Sequence, residues 1–134
     1  MRLLLDTHVL LWALLDDPKL SKSARELLEN EENIICYSIL SLWEIELKRL
    51  QRPEQMNFNA QTIRDYAHAS GYCLLNLREK HIFMLYTLQY SVNAKPHKDP
   101  FDRLLICQAK SENMSLLTHD ALLKNYNELC VVSI

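Results

Sequence analysis

The stretch Leu3-Leu4-Leu5-Asp6-Thr7-His8-Val9-Leu10-Leu11-Trp12 decides the fold. Its three leucines form an apolar run too brief for a helix, which reads as a buried strand that stops at a carboxylate. Val9 to Leu15 is apolar again, and the turn Asp16-Asp17-Pro18 closes it, so a short helix follows the strand. The same alternation continues down the chain. Ser23 and Glu26 make an S-x-x-E capping box for a helix that runs to about Asn30. Ile34 to Tyr37 is the second strand, and Ile39, Leu42, Trp43, Glu46 and Leu47 keep helical spacing as far as Leu50.

Arg52-Pro53 breaks that helix. Asn59 caps the next one, which ends at Gly71, the single glycine, standing where a left-handed C′ residue is wanted. Tyr72 to Leu77 is the third strand and Glu79 to about Tyr90 a helix, followed by a loop from Val92 to Lys98. Asp99-Pro100 then reads as an N-cap with proline at the first helical position. Phe101, Leu104, Leu105, Gln108 and Ala109 form one stripe of the helix behind it. Met114 to Thr118 is the fourth strand, Ala121 to Tyr126 a short helix, and Cys130 to Val132 the fifth strand. Strands joined by connections long enough for helical crossovers define a parallel α/β sheet with helices on both faces.

Length and composition agree. At about 150 residues per domain, 134 residues make one domain spanning 1–134. Hydrophobic residues at 49% and charged residues at 24% are those of a globular protein, which excludes disordered and collagen-like chains. One glycine cannot build a Gly-rich phosphate loop, so P-loop and dinucleotide-binding classes are out. Fifteen Lys+Arg against 17 Asp+Glu leave a charge of −2, without the basic footprint of an indiscriminate nucleic-acid binder. Cys36, Cys73, Cys107 and Cys130 have no C-x-x-C spacing and sit in apolar segments, so they read as buried reduced thiols. The apolar start imitates a signal peptide, but Asp6 and His8 interrupt it and no cleavage site follows. No run approaches a membrane span. The expectation is a cytoplasmic protein with no membrane association.

Ligands of an open parallel sheet bind beyond the carboxyl ends of its strands. Asp6 directly follows strand one, and Asp120 directly follows strand four. Glu44 lies one to two turns into the helix after strand two, and Asp102 lies in the first turn of the helix before strand four. Crossover helices run antiparallel to the strands, so all four acids reach one rim. Each has a plainer reading: a turn for Asp6, a solvated helix face for Glu44, a helix-dipole partner for Asp102, a cap for Asp120. Separate structural roles have no reason to agree on one edge, however. Glu44 lies between Trp43 and Ile45, close to the apolar side of its helix, where a carboxylate is costly to desolvate without a cation. Oxygen-only ligands suit Mg²⁺ or Mn²⁺. Thr7 and Thr118 can add hydroxyl hydrogen bonds, Asp99 adjoins the site, and Arg103 is open to a phosphate contact or a structural salt bridge. His8, His97 and His119 neighbour the acids, but loop polarity accounts for them as surface residues, and His68 and His81 receive no role.

These residues form a pattern. Leu4 to Trp12 resembles the opening motif of a PIN domain, and Ser38-Ile39-Leu40-Ser41-Leu42-Trp43-Glu44-Ile45 resembles its second acidic motif. His97-Lys98-Asp99-Pro100-Phe101-Asp102-Arg103 through Ala109 is similar to the third and most specific motif, with Cys107 where alanine is usual. Leu116-Leu117-Thr118-His119-Asp120 resembles the fourth. The resemblance covers essentially the whole chain. It implies a three-layer PIN-like fold with a central five-stranded parallel sheet and Asp6, Glu44, Asp102 and Asp120 as catalytic, metal-binding acids. It further implies a Mg²⁺- or Mn²⁺-dependent endoribonuclease like the VapC-type toxins, a homodimer, an antitoxin partner and an RNA substrate. Nearly half the residues being apolar in a small chain points to a homodimer as well.

Three rival readings remain. A haloacid-dehalogenase-type phosphatase needs a second aspartate two residues after the first, where His8 stands. A receiver-type signalling domain needs a phosphoacceptor after the third strand, where Arg78 follows Leu77. A PIN-like RNA- or protein-binding domain without catalysis would not need all four acids.

Overall fold

The computed structural model describes residues 1–134. Five strands, β1 (Arg2–Leu5), β2 (Ile34–Ser38), β3 (Cys73–Leu75), β4 (Ser115–Thr118) and β5 (Val131–Ser133), form one sheet in the order β3-β2-β1-β4-β5. Every pairing is parallel, with Leu4 opposite Cys36 on one side and Leu116 on the other. Leu3, Leu4 and Leu5 are all fully buried, because a parallel strand covered on both faces needs an unbroken apolar run.

The helices are α1 (Thr7–Leu14), α2 (Lys22–Glu29), α3 (Ile39–Gln51), α4 (Ala60–Ala69), α5 (Glu79–Phe83) and α6 (Pro100–Ser111). Parallel crossovers are right-handed. Connections stepping from β1 to β2 to β3 therefore cover one face, and those stepping back through β4 to β5 cover the other. Two hydrophobic clusters follow this division. Leu3, Leu5, Ile35 and Tyr37 pack with Val9 and Leu10 of α1, Ala24 of α2 and Ile63 of α4. Leu4, Cys36 and Leu116 pack with Leu105, Ile106 and Ala109 of α6 and with Leu123. Helix α3 gives Ile45 to the first cluster and Leu40 to the second, so it touches both layers. The expected three-layer sheet is the one observed, and no helix is long and apolar enough to cross a membrane.

Three helices end in the same device. At the end of α4, Gly71 has φ +81°, its N–H donates to the His68 carbonyl at 3.0 Å, and the Tyr72 N–H donates to that of Ala67 at 3.0 Å. This is a Schellman cap with glycine at C′, as the sequence predicts. With no other glycine available, α1 and α6 place Asp16 (φ 52°) and Asn113 (φ 54°) at the equivalent position. Short polar side chains tolerate this region best among non-glycine residues.

Several boundaries differ from the sequence reading. Helix α1 starts at Thr7, because Asp6 caps it. Helix α2 is capped by Ser21, whose Oγ accepts the Ala24 N–H at 3.2 Å, so Ser23 lies inside the first turn and contacts Ser21 instead. The helix expected over Glu79 to Tyr90 stops at Phe83 and continues as a 3₁₀ turn over Met84–Thr87. Beyond it the backbone extends to pair with the C-terminal region: Ser91 N–H donates to Asn125 O at 2.9 Å, Asn127 N–H to Gln89 O at 2.8 Å, and Tyr90 bridges Tyr126. That tertiary pairing overrides local helical spacing. Strand β3 is shorter than expected, and residues Ala121–Asn125 form a 3₁₀ helix rather than an α-helix. Among the cysteines, Cys36 and Cys107 are buried and Cys130 is half-buried, but Cys73 is exposed because β3 is an edge strand.

Candidate active site

The direction of strand succession reverses between β1 and β4, so a crevice opens at their carboxyl ends. Asp6 and Asp120 flank it. Asp6 is the N-cap of α1: its Oδ1 accepts the Val9 N–H at 2.9 Å, and its Oδ2 accepts the Thr118 hydroxyl. Thr118 Oγ1 in turn accepts the Asp120 N–H at 3.0 Å, so one buried hydroxyl joins the ends of both strands. Asp120 caps the 3₁₀ helix through Oδ1, which accepts the Leu122 N–H at 2.9 Å. Both residues are therefore caps, the plainer role expected of Asp120 but not of Asp6, which reads as a turn in the sequence; the cap consumes one oxygen of Asp120 and leaves the other unbonded. Thr7 donates its hydroxyl to Ser41 at 3.0 Å, tying the start of α1 to α3.

Helices α3 and α6 bring the other two acids. Ser38 caps α3 by accepting the Leu40 N–H at 3.0 Å and donates to Gln108 Oε1 of α6 at 2.6 Å, a fully buried bond. Trp43 and Phe101, each the chain neighbour of a site acid, meet edge to face at 4.9 Å. These two contacts fix Glu44 relative to Asp102. Asp99 caps α6, its Oδ1 accepting the Phe101 and Asp102 N–H groups at 2.9 and 3.2 Å, as the Asp-Pro pair predicts.

Asp6, Glu44, Asp99, Asp102 and Asp120 line one cleft of about 160 Å³ with Thr7, His8 and Lys48, and no hydrophobic side chain borders it. All four sequence-predicted acids thus share the cleft with Asp99. Five carboxylates face a single ammonium. Burial, followed by Asp99, Glu44, Asp6 and Asp120, pushes the Asp102 carboxyl up to about 8. Burial also raises Asp6, against the opposing hydrogen bonds from Thr118 and Val9.

The residues fit a hard divalent cation on an observation independent of motif. Glu44 Oε1 is fully buried and has no hydrogen-bond partner, while Oε2 lies 3.5 Å from Lys48 Nζ. An unpartnered buried carboxylate oxygen is costly, and a cation in the cleft would satisfy it. The donor set of carboxylate oxygens suits Mg²⁺ or Mn²⁺. Donor atoms of Asp102 and Asp120 also approach within 4.8 Å of each other and of His97.

Three residues of the site escaped the sequence reading. Lys48 stands one turn after Glu44, and the i,i+4 spacing could have found it. His97, expected on the surface, is buried: Nε2 lies 3.2 Å from Asp102 Oδ2 and Nδ1 lies 2.7 Å from the Tyr126 hydroxyl. The loop carrying it folds inward, and no local signal marks that. Tyr126 comes from a distant turn for the same reason. His8 and His119 are exposed as expected, and His81 is a buried structural residue that accepts the Arg78 N–H and bonds Glu112. Arg103 makes no salt bridge; with Lys98 it borders a neighbouring hollow of about 350 Å³ floored by Leu85 and Leu104. A larger hollow, about 680 Å³, lies at the opposite end of the sheet, but its charges, Lys110 and Glu128, already pair at 3.0 Å.

An open parallel sheet with a carboxylate-lined cleft at its switch point defines a class of α/β protein suited to hold a hard cation against an anionic ligand. Within that class the family is clear. The PIN domain model matches residues 3–129, and the chain belongs to the PIN domain family. The fold is similar to a chain of the crystal structure of VapBC2 from Rickettsia felis bound to a DNA fragment from their promoter. That match has a TM-score of 0.68 and 20% identity, over 99% of this chain and 98% of that one. It is also similar to a chain of DNA-bound VapBC from Salmonella typhimurium, with a TM-score of 0.66 and 14% identity, over 99% and 98% of the two chains. No curated protein matches the sequence.

Proposed function

We propose that residues 1–134 act as one Mg²⁺- or Mn²⁺-dependent endoribonuclease domain, the toxin of a toxin–antitoxin pair. The observation that carries this reading is the buried, unpartnered Glu44 Oε1 in a cleft of five carboxylates. A non-catalytic binding domain would have no use for that desolvated charge. Membership of the PIN domain family supports nuclease chemistry, and the likeness of fold to chains of VapBC assemblies supports an antitoxin partner.

Asp6, Glu44, Asp102 and Asp120 would hold the cation. When bound, it makes water nucleophilic near neutral pH and offsets charge on the phosphoryl oxygens. The chain's residues do the rest. Thr118 fixes Asp6 through its hydroxyl, and the capping bonds of Asp6 and Asp120 hold their carboxyl groups to the rim. Glu44 would offer Oε1 to the cation, with Lys48 steadying its other oxygen. Arg103 and Lys98, free of carboxylate partners, offer the RNA backbone two cations beside an acidic cleft that would otherwise repel it. On the other flank, His8, Trp12 and His119 present aromatic rings next to Asp120, with Trp12 and His119 5.1 Å apart. Such rings stack on unpaired bases, which supports a single-stranded or loop RNA.

The antitoxin would bring a basic side chain to the carboxylate rim, and exposed Phe83, Tyr86 and Ile82 would lie in the homodimer interface. The test is expression of the chain alone and beside its neighbouring reading frame, with total RNA examined for cleavage. Growth arrest with RNA cleavage, relieved by the neighbour, is the expected result. An abundant, folded chain that neither arrests growth nor cuts RNA in Mn²⁺ contradicts the reading.

A further inference from the structure

We infer that His97 is a positioning residue for Asp102, held in one tautomer by Tyr126. The inference rests on the nuclease reading above and concerns how one of its acids is aimed.

His97 lies behind Asp102 rather than in the cleft. Its side chain is 3% exposed and does not border the cavity, whereas Asp102 does. Both ring nitrogens are engaged, Nε2 with Asp102 Oδ2 at 3.2 Å and Nδ1 with the Tyr126 hydroxyl at 2.7 Å. An Asp102 that holds a cation is ionised and can only accept hydrogen bonds, so in that state Nε2 carries the ring proton of a neutral imidazole. Nδ1 is then the acceptor, and the Tyr126 O–H is its donor. The hydroxyl therefore selects the tautomer that can hold Asp102.

The surroundings keep this chain of bonds in place. Tyr90 stacks against His97 with the rings 6.3 Å apart and meets Tyr126 edge to face at 4.7 Å. The Tyr90 hydroxyl donates to the Lys95 carbonyl and so closes the loop that delivers His97. With Oδ2 held by His97, Asp102 Oδ1 carries no hydrogen bond and is the oxygen left for a cation. Outer partners of this kind fix a ligand's orientation, and removing one typically weakens metal affinity about 10–100-fold. A simple packing role for His97 would make no demand on the Tyr126 hydroxyl.

The experiment is Mn²⁺ binding to the full 134-residue chain, followed by electron paramagnetic resonance, with the melting temperature of the metal-free protein as control. Tyr126→Phe keeps the ring and removes only the hydroxyl. His97→Leu removes the donor, and His97→Gln restores an N–H that can reach Asp102. Mn²⁺ affinity is expected to fall about tenfold or more in His97→Leu, to fall less in Tyr126→Phe, and to recover partly in His97→Gln. The pulsed spectrum of bound Mn²⁺ should show no directly coordinated nitrogen. Should His97→Leu fail to fold, Tyr126→Phe carries the test alone. Unchanged affinity in the folded variants would overturn the inference, and so would a coordinated imidazole nitrogen, which would make His97 a ligand. A wild-type chain that binds no Mn²⁺ would overturn the nuclease reading as well; variants that bind as tightly as wild type would overturn this inference alone.

Discussion

Lys48 Nζ lies 3.5 Å from Glu44 Oε2, one turn along the same helix, and is the only ammonium bordering a cleft with five carboxylates. Its removal leaves the acids to repel one another. Lys48→Gln should lower the melting temperature of the metal-free chain by a few degrees, equivalent to about 1 kcal/mol for a partly exposed pair. Mn²⁺ should then raise the melting temperature more in the variant than in wild type. Thermal melts with and without Mn²⁺ check this, and an unaltered metal-free melt would remove Lys48 from the electrostatic account.

The metal-free protein should be more stable in mild acid than in mild base. Burial and the facing carboxylates of Asp99, Glu44, Asp6 and Asp120 raise Asp102 to about 8, above its unfolded value near 3.9. A raised acid contributes stability that is full below its unfolded pKa and is lost as pH rises through its folded one. Melting temperature should therefore decline from pH 5 towards pH 8, and Asp102→Asn should flatten that decline. Mn²⁺ binds ionised carboxylates, so its stabilising shift should grow over the same range. A metal-free protein whose melting temperature rises from pH 5 to pH 8 would refute the electrostatic picture of the cleft.

Asp99 and Asp102, three residues apart, should separate by function. Asp99 spends Oδ1 on the first turn of α6, and asparagine caps about as well as aspartate. Asp99→Asn should keep both stability and substantial RNA cleavage, whereas Asp102→Asn should be close to inactive yet folded. Asp99→Ala should cost about 1 kcal/mol through the lost cap. Paired melts and cleavage assays decide, and an inactive, folded Asp99→Asn would make Asp99 part of the catalytic set.

Arg103 should act on binding rather than on chemistry. Arg103→Gln should raise KM for RNA severalfold with kcat little changed, and should flatten the salt dependence of binding by about one phosphate contact. A fall in kcat at unchanged KM would place Arg103 at the reacting phosphate instead.

Much of this was legible in the sequence because it is written in short-range patterns. The unbroken run Leu3-Leu4-Leu5 announces a two-faced buried strand, Asp99-Pro100 announces a helix start, and Gly71 announces a helix end. The acids at strand ends and helix starts follow from the direction of parallel crossovers. What was illegible depends on contacts across the chain. Ser21 and Ser23 both satisfy a capping preference, and only Leu20, packed in the core, selects the earlier one. Extended residues 88–91 are fixed by pairing with 125–127, and His97 by a tyrosine 29 positions away. Neither leaves a periodic trace.

The most direct test is cleavage of single-stranded RNA by the purified chain, wild type against Asp6→Asn, in Mn²⁺ and in excess chelator. Asp6→Asn keeps the shape of the α1 cap and removes the charge. Internal cleavage by wild type in Mn²⁺ is the expected result, lost in chelator and lost in a folded Asp6→Asn protein. Cleavage that persists in chelator, or at full rate in Asp6→Asn, would contradict the account of the cleft as the catalytic centre.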